Sequence, residues 1–86
     1  MTQWRHTIKL GDVFTGFDKH DPEAFIGARD TITKRIREAK FWDTEDFELV
    51  GVVEALEQSE DLSEFHDYWS QFYDWADFNL VWVETW

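Results

Sequence analysis

The chain has 86 residues, with 19 acids against 8 bases, a net charge of −11 and no cysteine. This length allows one domain, expected to cover residues 1–86, and the lack of cysteine excludes a disulfide framework or a thiolate metal site. At 43% hydrophobic and 19% aromatic, the chain is too apolar for a disordered acidic tail. The negative charge argues against direct nucleic-acid binding, and no apolar run reaches the ~20 residues that span a membrane. We therefore expect a cytoplasmic protein without a signal peptide.

The first predicted element is a half-buried strand over residues 3–10. Its polar and apolar side chains alternate with period 2, the spacing that places successive residues on opposite faces of a sheet. Gly11 and Asp12 end this strand, and residues 12–20 predict a loop whose apolar side chains fold back on the core. The residues predicted to share the apolar face of the strand are Trp4, His6, Ile8 and Leu10.

A first helix is predicted over residues 22–40. Asp21 is suited to cap its N-terminus, Pro22 to occupy the first turn, and Glu23 to interact with the positive end of the helix dipole. Bases crowd the C-terminal half of this helix. The apolar residues at helical spacing are Phe25, Ala28, Ile32, Ile36 and Ala39.

Two more helices follow in the prediction. The first begins at an Asp43 or Thr44 cap and reaches residue 58, although residues 49–53 are also compatible with a short buried strand. The next begins at Asp61, which forms a capping box with Glu64, and runs to about residue 77. Its apolar stripe comprises Leu62, Phe65, Trp69, Phe72 and Ala76, and is widened by Tyr68, Tyr73 and Trp75.

The last predicted element is a strand over residues 79–86, apolar on both faces. The sequence thus predicts an α+β fold of order β-α-α-α-β. The two terminal strands form a small sheet against three helices, and their parallel or antiparallel pairing is left open. The open edges of such a sheet are available for dimerisation.

The charge is distributed unevenly along the chain. Residues 1–40 contain all eight bases and six acids, whereas residues 41–86 contain thirteen acids and no Lys or Arg. We expect the basic helix to lie near the acidic remainder. The acids at positions 54, 57, 61, 64 and 67 recur every three or four residues, a spacing that suggests nucleic-acid mimicry or simply solubility.

The second half of the chain also holds twelve of the sixteen aromatic residues. Trp and Tyr commonly anchor interfaces, but large rings also fill the core of a short chain. Trp75 and Trp86 are predicted to be exposed. The predicted partner-binding residues are Glu57, Asp61, Glu64, Asp67, Tyr68, Asp74, Trp75 and Trp86.

Enzymatic and metal-binding patterns are weak. The sequence has no nucleophile elbow and no phosphate-binding glycine loop, so we expect no enzyme and no cofactor. Residues 18–23 contain two Asp, one Glu and one His, which are candidate cation ligands but fit a polar loop and helix cap better. His6 is expected to be a buried histidine with satisfied hydrogen bonds.

Three short segments carry a family resemblance: residues 4–13, residues 29–37 (Arg-Asp-x-Ile-x-x-Arg-Ile-Arg) and residues 72–82 (Phe-Tyr-Asp-x-Ala-Asp-x-x-x-Val-Trp). In these, the chain resembles small acidic orphan proteins encoded by actinobacterial phages. The resemblance implies an accessory phage protein that acts in the host cytoplasm by binding a host protein. It assigns no catalytic or binding residue.

These observations together predict a non-enzymatic protein that binds a host protein through an acidic, aromatic surface. The negative charge favours a partner with a basic patch. The chain would act on this partner as an inhibitor or as a nucleic-acid mimic. The alternative is a self-associating module, a homodimer without a host target.

Overall fold

The computed structural model describes residues 3–18 and 20–86, so Met1, Thr2 and Lys19 lie outside the described residues. It confirms the α+β prediction, with a two-stranded sheet of terminal strands packed against three main helices. A short additional helix follows the first strand. The elements in chain order are β1 (His6–Lys9), α1 (Gly11–Thr15), α2 (Pro22–Glu38), α3 (Phe47–Gln58), α4 (Leu62–Phe78) and β2 (Val81–Glu84).

The two strands are parallel, with His6 beside Val81. The intervening helices supply the long crossover that a parallel pair requires. Leu80 turns the chain from α4 into β2 with a φ of 60°, a left-handed conformation uncommon for a branched side chain. Its carbonyl accepts hydrogen bonds from the backbone N–H groups of Arg5 at 2.8 Å and His6 at 3.4 Å. The turn at Leu80 therefore joins the start of β1 to the start of β2.

The predicted caps of α2 and α4 are confirmed. The Asp21 carboxylate accepts the backbone N–H of Glu23 at 3.0 Å, and the Asp61 carboxylate accepts that of Glu64 at 2.8 Å. Each bond satisfies one N–H donor that the first helical turn leaves free.

The predicted second helix is confirmed over residues 47–58, and no strand forms there, but the predicted cap is wrong. Asp46 caps α3 by accepting the backbone N–H of Leu49 at 3.2 Å. Asp43 instead accepts the N–H of Glu45 at 2.9 Å within the preceding turn, and Thr44 lies in the same turn. With several candidate caps in succession, the actual start of the helix depends on where α3 meets α4.

The predicted loop after β1 is also partly wrong, because residues 11–15 form α1 and β1 is only four residues long. The Arg35 guanidinium of α2 donates to both carboxylate oxygens of Asp12, at 2.7 and 2.8 Å, and to the Lys9 carbonyl at 3.2 Å. This contact between residues 23 apart in sequence fixes a segment whose two glycines favour a loop. As expected, three apolar side chains of the segment, Val13, Phe14 and Phe17, pack against the core.

The core lies between the helices and the inner face of the sheet. The predicted stripes of α2, α3 and α4 enter it, except that Leu62 at the start of α4 is 43% exposed. The interior faces of both strands close it. The fully covered residues among these include Leu10, Ile36, Leu49, Val53, Leu56 and Phe72.

No helix among the described residues has the length and apolar character needed to cross a membrane.

Candidate partner-binding surface

The predicted partner-binding residues do not form one surface. They are spread along the length of the α3–α4 hairpin, because Asp74 of α4 lies thirteen positions after the Asp61 cap, about 20 Å along a helix axis. Three of them, Glu57, Asp61 and Glu64, lie around the connection between the helices. Asp74 and Trp86 belong to the other end of the molecule.

The acids at the α3–α4 connection have structural partners. Glu57 accepts two hydrogen bonds from the Arg37 guanidinium, at 2.6 and 2.7 Å, and so joins α3 to α2. Asp61 caps α4. The turn between the helices interrupts the regular spacing of the acids, and two of these acids, Glu57 and Asp61, bind groups within the chain.

The contact around Arg37 combines two kinds of recognition. The Arg37 guanidinium lies over the indole of Trp42, 5.0 Å from the ring centroid, while its Nε and Nη2 atoms donate to Glu57. The hydrogen bonds that Arg37 donates to Glu57 raise the pKa of Arg37 above its ordinary value. This pairing, with the Arg29 bond to the Ser59 carbonyl at 2.8 Å, places the basic helix against the acidic half as expected.

The middle of α4 contributes one exposed acid. Asp67 faces solvent, whereas Tyr68 is half-buried and packs against the core. Tyr68 is therefore mainly a core side chain, and Asp67 stands apart from the aromatic residues described below.

The prediction that Trp75 is exposed is wrong. Its side chain is 5% exposed and stacks on Phe72, with ring centroids 6.0 Å apart. Its indole Nε1–H donates to the second carboxylate oxygen of Asp46 at 2.9 Å. Helical spacing places Trp75 at the margin of the stripe, and it is covered by tertiary contacts with Phe41 and with the start of α3.

The prediction that Trp86 is exposed is confirmed at 70%. Trp86 belongs to a tryptophan cluster, defined as Trp4, Trp82 and Trp86. The Trp82 ring lies 5.2 Å from that of Trp4 and 5.6 Å from that of Trp86, at interplanar angles of 60° and 81°. Trp4 was predicted on the inner face of the first strand, but it precedes β1 and packs on Trp82 instead.

The strand pattern explains where the cluster lies. Val81 and Val83 point into the core, so Trp82 points to the opposite face. Four extended residues would separate Trp82 and Trp86 by about 13 Å, so the chain must leave the strand direction after Glu84 to bring the rings together. Alternation along β2 was the sequence signal that identifies Trp82.

Gly11 provides the space that receives the end of this segment. A Cβ atom at Gly11 would lie 2.6 Å from the backbone carbonyl carbon of Trp86, closer than any ordinary contact. The absence of a side chain at the start of α1 therefore lets the Trp86 backbone lie against it.

The tryptophan cluster lines an open cleft of about 260 Å³. Tyr73 and Asp77 of α4 and Val81 and Val83 of β2 also line this cleft. Tyr73 is itself held edge-on against the buried Trp69, with centroids 5.6 Å apart. We call this the tryptophan cleft. The part of the chain that the structure describes contributes seven lining residues, none of them basic.

A second exposed aromatic pair was not predicted. Phe47 at the start of α3 is 84% exposed and Phe78 at the end of α4 is 88% exposed. The bond between Asp46 and Trp75 places both at the same end of the hairpin. The only sign of their exposure in the sequence was that both lie outside the apolar stripes of the helices.

The candidate cation ligands of residues 18–23 form backbone contacts instead. Asp18 accepts the N–H of His20 at 3.0 Å, and Asp21 caps α2. Among residues 3–18 and 20–86, no group of three carboxylate or imidazole side chains is placed to hold a metal ion. His6 is half-buried, with its ring 6.1 Å from that of Phe41.

Comparisons with protein-family models, with curated proteins and with solved structures found no match to this chain. The resemblance to acidic actinobacteriophage proteins therefore stays a prediction.

Proposed function

We propose that this chain is a non-enzymatic binding protein and that the tryptophan cleft, with Asp74 beside it on α4, contacts a partner protein that carries a basic patch. One observation supports this most directly. Three indoles gather on the outer face of the sheet, and the most exposed of them, Trp86, covers little of the core. Trp is the residue type most enriched where binding energy concentrates.

The mode of contact follows from burial. Val81 and Val83 are 2% and 5% exposed, so these two residues of β2 offer little surface to a partner. A partner would instead meet the ring faces of the cluster and the carboxylates of α4. The net charge of −11 would attract a basic partner at long range and speed its encounter.

The resemblance to phage proteins implies that this partner is a host protein in the host cytoplasm. Inhibition by covering the partner's basic patch is the simplest outcome of such binding. Nucleic-acid mimicry has less support, because Glu57 and Asp61 of the acid track already bind groups within the chain.

The alternative is a homodimer through the same face. A two-fold interface brings each patch against its own copy. The carboxylates of Asp74 and Asp77 would then approach those of the second chain, at a cost that a basic partner avoids. Charge thus favours a different partner over self-association.

Capture from an actinobacterial host lysate tests the proposal when surface variants are compared. Trp86→Ser should lose a protein that the original chain retains, while the matched variant Phe47→Ser, at a ring of the second aromatic pair that is also mostly exposed, should retain it. Sedimentation at low micromolar concentration should show a monomer. Identical capture by all three proteins would refute the assigned surface, and a dimer that dissociates on Trp86→Ser would establish the alternative.

A further inference from the structure

We infer that the tryptophan cleft receives an arginine side chain of the partner, an inference that rests on the proposed function and specifies its chemistry. The cleft presents two nearly perpendicular indoles, Trp82 and Trp86, and is also lined by the carboxylate residue Asp77 of α4. Aromatic faces attract cations, and Trp does so most strongly. A carboxylate supplies the opposite charge.

Arginine suits this arrangement better than lysine. Its guanidinium is planar and weakly hydrated, so it stacks on an indole while its N–H groups bind both oxygens of a carboxylate. The ammonium of lysine is a compact and strongly hydrated charge without a flat face.

The chain contains the same combination within its own fold. Arg37 lies over Trp42 and binds Glu57 with two hydrogen bonds. The tryptophan cleft is lined by the same two kinds of residue, Trp and an acid, and among residues 3–18 and 20–86 its lining includes no base. An arginine from another protein would complete it.

The charge of the chain favours an arginine of another protein over a second copy of this chain as the occupant of the cleft. The residues of the cleft other than Trp4 come from positions 73–86, within the half that has no Lys or Arg. A copy of this chain would therefore bring further carboxylates to the cleft through its own matching face.

Titration with short peptides tests the inference. The probe is acetyl-Gly-Gly-Arg-Gly-Gly-amide, compared with matched peptides that carry lysine or the neutral isostere citrulline. The six indole N–H signals of the ¹⁵N-labelled protein report on binding. We expect those of Trp82 and Trp86 to move, while that of the buried Trp75 stays in place as an internal reference.

Single-peptide affinities of this kind are weak, with a dissociation constant of about 1 mM. Citrulline should weaken binding about fivefold or more, because it removes the charge that the indoles and the carboxylate attract. Equal responses to arginine and citrulline, or no movement of Trp82 and Trp86, would overturn the inference. An equal response to lysine would overturn the choice of arginine.

Asp77→Asn tests the carboxylate, and Asp67→Asn is its matched control. Both acids are exposed on α4, both changes remove one charge, and about 15 Å of helix separates the positions. We expect Asp77→Asn to weaken the arginine peptide about fivefold and Asp67→Asn less than about twofold. Equal effects would show general charge attraction and refute a defined site.

The two proposals fail separately. If Trp86→Ser abolishes capture of a partner but the arginine peptide does not bind, the surface stands and its arginine specificity falls. If the peptide binds and no captured protein depends on Trp86, the cleft recognises arginine but the proposed partner protein is refuted.

Discussion

Replacing Asp46 by Ala removes two contacts that meet at one carboxylate. One oxygen accepts the backbone N–H of Leu49 and caps α3, while the other accepts the indole N–H of Trp75 from α4. The same side chain therefore begins one helix and fixes its packing on the next.

The expected loss can be estimated from these two contacts. An N-cap removed by alanine costs about 1 kcal/mol. A partly buried indole N–H left without its acceptor costs about 1 kcal/mol more. We expect Asp46→Ala to lower the free energy of unfolding by about 2 kcal/mol and the melting temperature by about 10 °C, since a domain of this size loses several degrees per kcal/mol.

Urea unfolding followed by near-ultraviolet circular dichroism measures this loss. Asp61→Ala is the matched control, because Asp61 caps α4 without an indole partner and should cost only about 1 kcal/mol. Combining Asp46→Ala with Trp75→Phe isolates the coupling between the two side chains, expected at about 1 kcal/mol. Equal losses for Asp46→Ala and Asp61→Ala, with zero coupling, would refute the stabilising role of the indole bond.

Two further predictions concern the start of α1. Gly11→Ala should destabilise the fold by about 2 kcal/mol and displace Trp86, because the new methyl group meets the Trp86 backbone. Its control is Gly27→Ala, whose methyl group meets no atom and which should stabilise α2 by about 0.5–1 kcal/mol. Denaturant unfolding measures both changes, and a stabilising effect of Gly11→Ala would contradict this reasoning. Hydrogen bonds from Arg35 lower the pKa of Asp12 to about 2. The stability linked to this lowered pKa is therefore complete above about pH 4 and lost as the pH falls towards about 2. In the Arg35→Gln variant, NMR titration of the Asp12 carboxyl group should give a pKa near 4. The same pKa in the original chain would show that the ion pair does not form.

The sequence predicted the elements whose causes are local. Asp21 and Asp61 cap the first turns of α2 and α4, and the repeat of apolar residues identifies the buried faces of all three main helices. The exposure of Trp86 was also predicted. The start of α3 was missed because three neighbouring residues are acceptable caps and the Asp46–Trp75 bond decides among them.

The candidate site could be predicted only in part. An acidic, aromatic C-terminal half is evident from composition, but Tyr73, Trp82 and Asp77 become one cleft only when β2 lies beside α4. Conversely, two of the predicted surface residues are not available to a partner: α3 covers Trp75, and Arg37 binds the Glu57 carboxylate. Exposure is a property of neighbours distant in sequence.

By itself, then, the amino-acid sequence determined the helices, the terminal strands, the charge asymmetry and the excess of aromatic rings, because periodicity, capping and composition act over a few residues. The tertiary structure alone decided the parallel pairing of the strands, the formation of α1 and the grouping of Trp4 with Trp82 and Trp86. Each of these depends on contacts across more than twenty residues or on the path of the chain beyond a strand end. Such contacts form only when the hydrophobic faces of the separate elements are buried against one another.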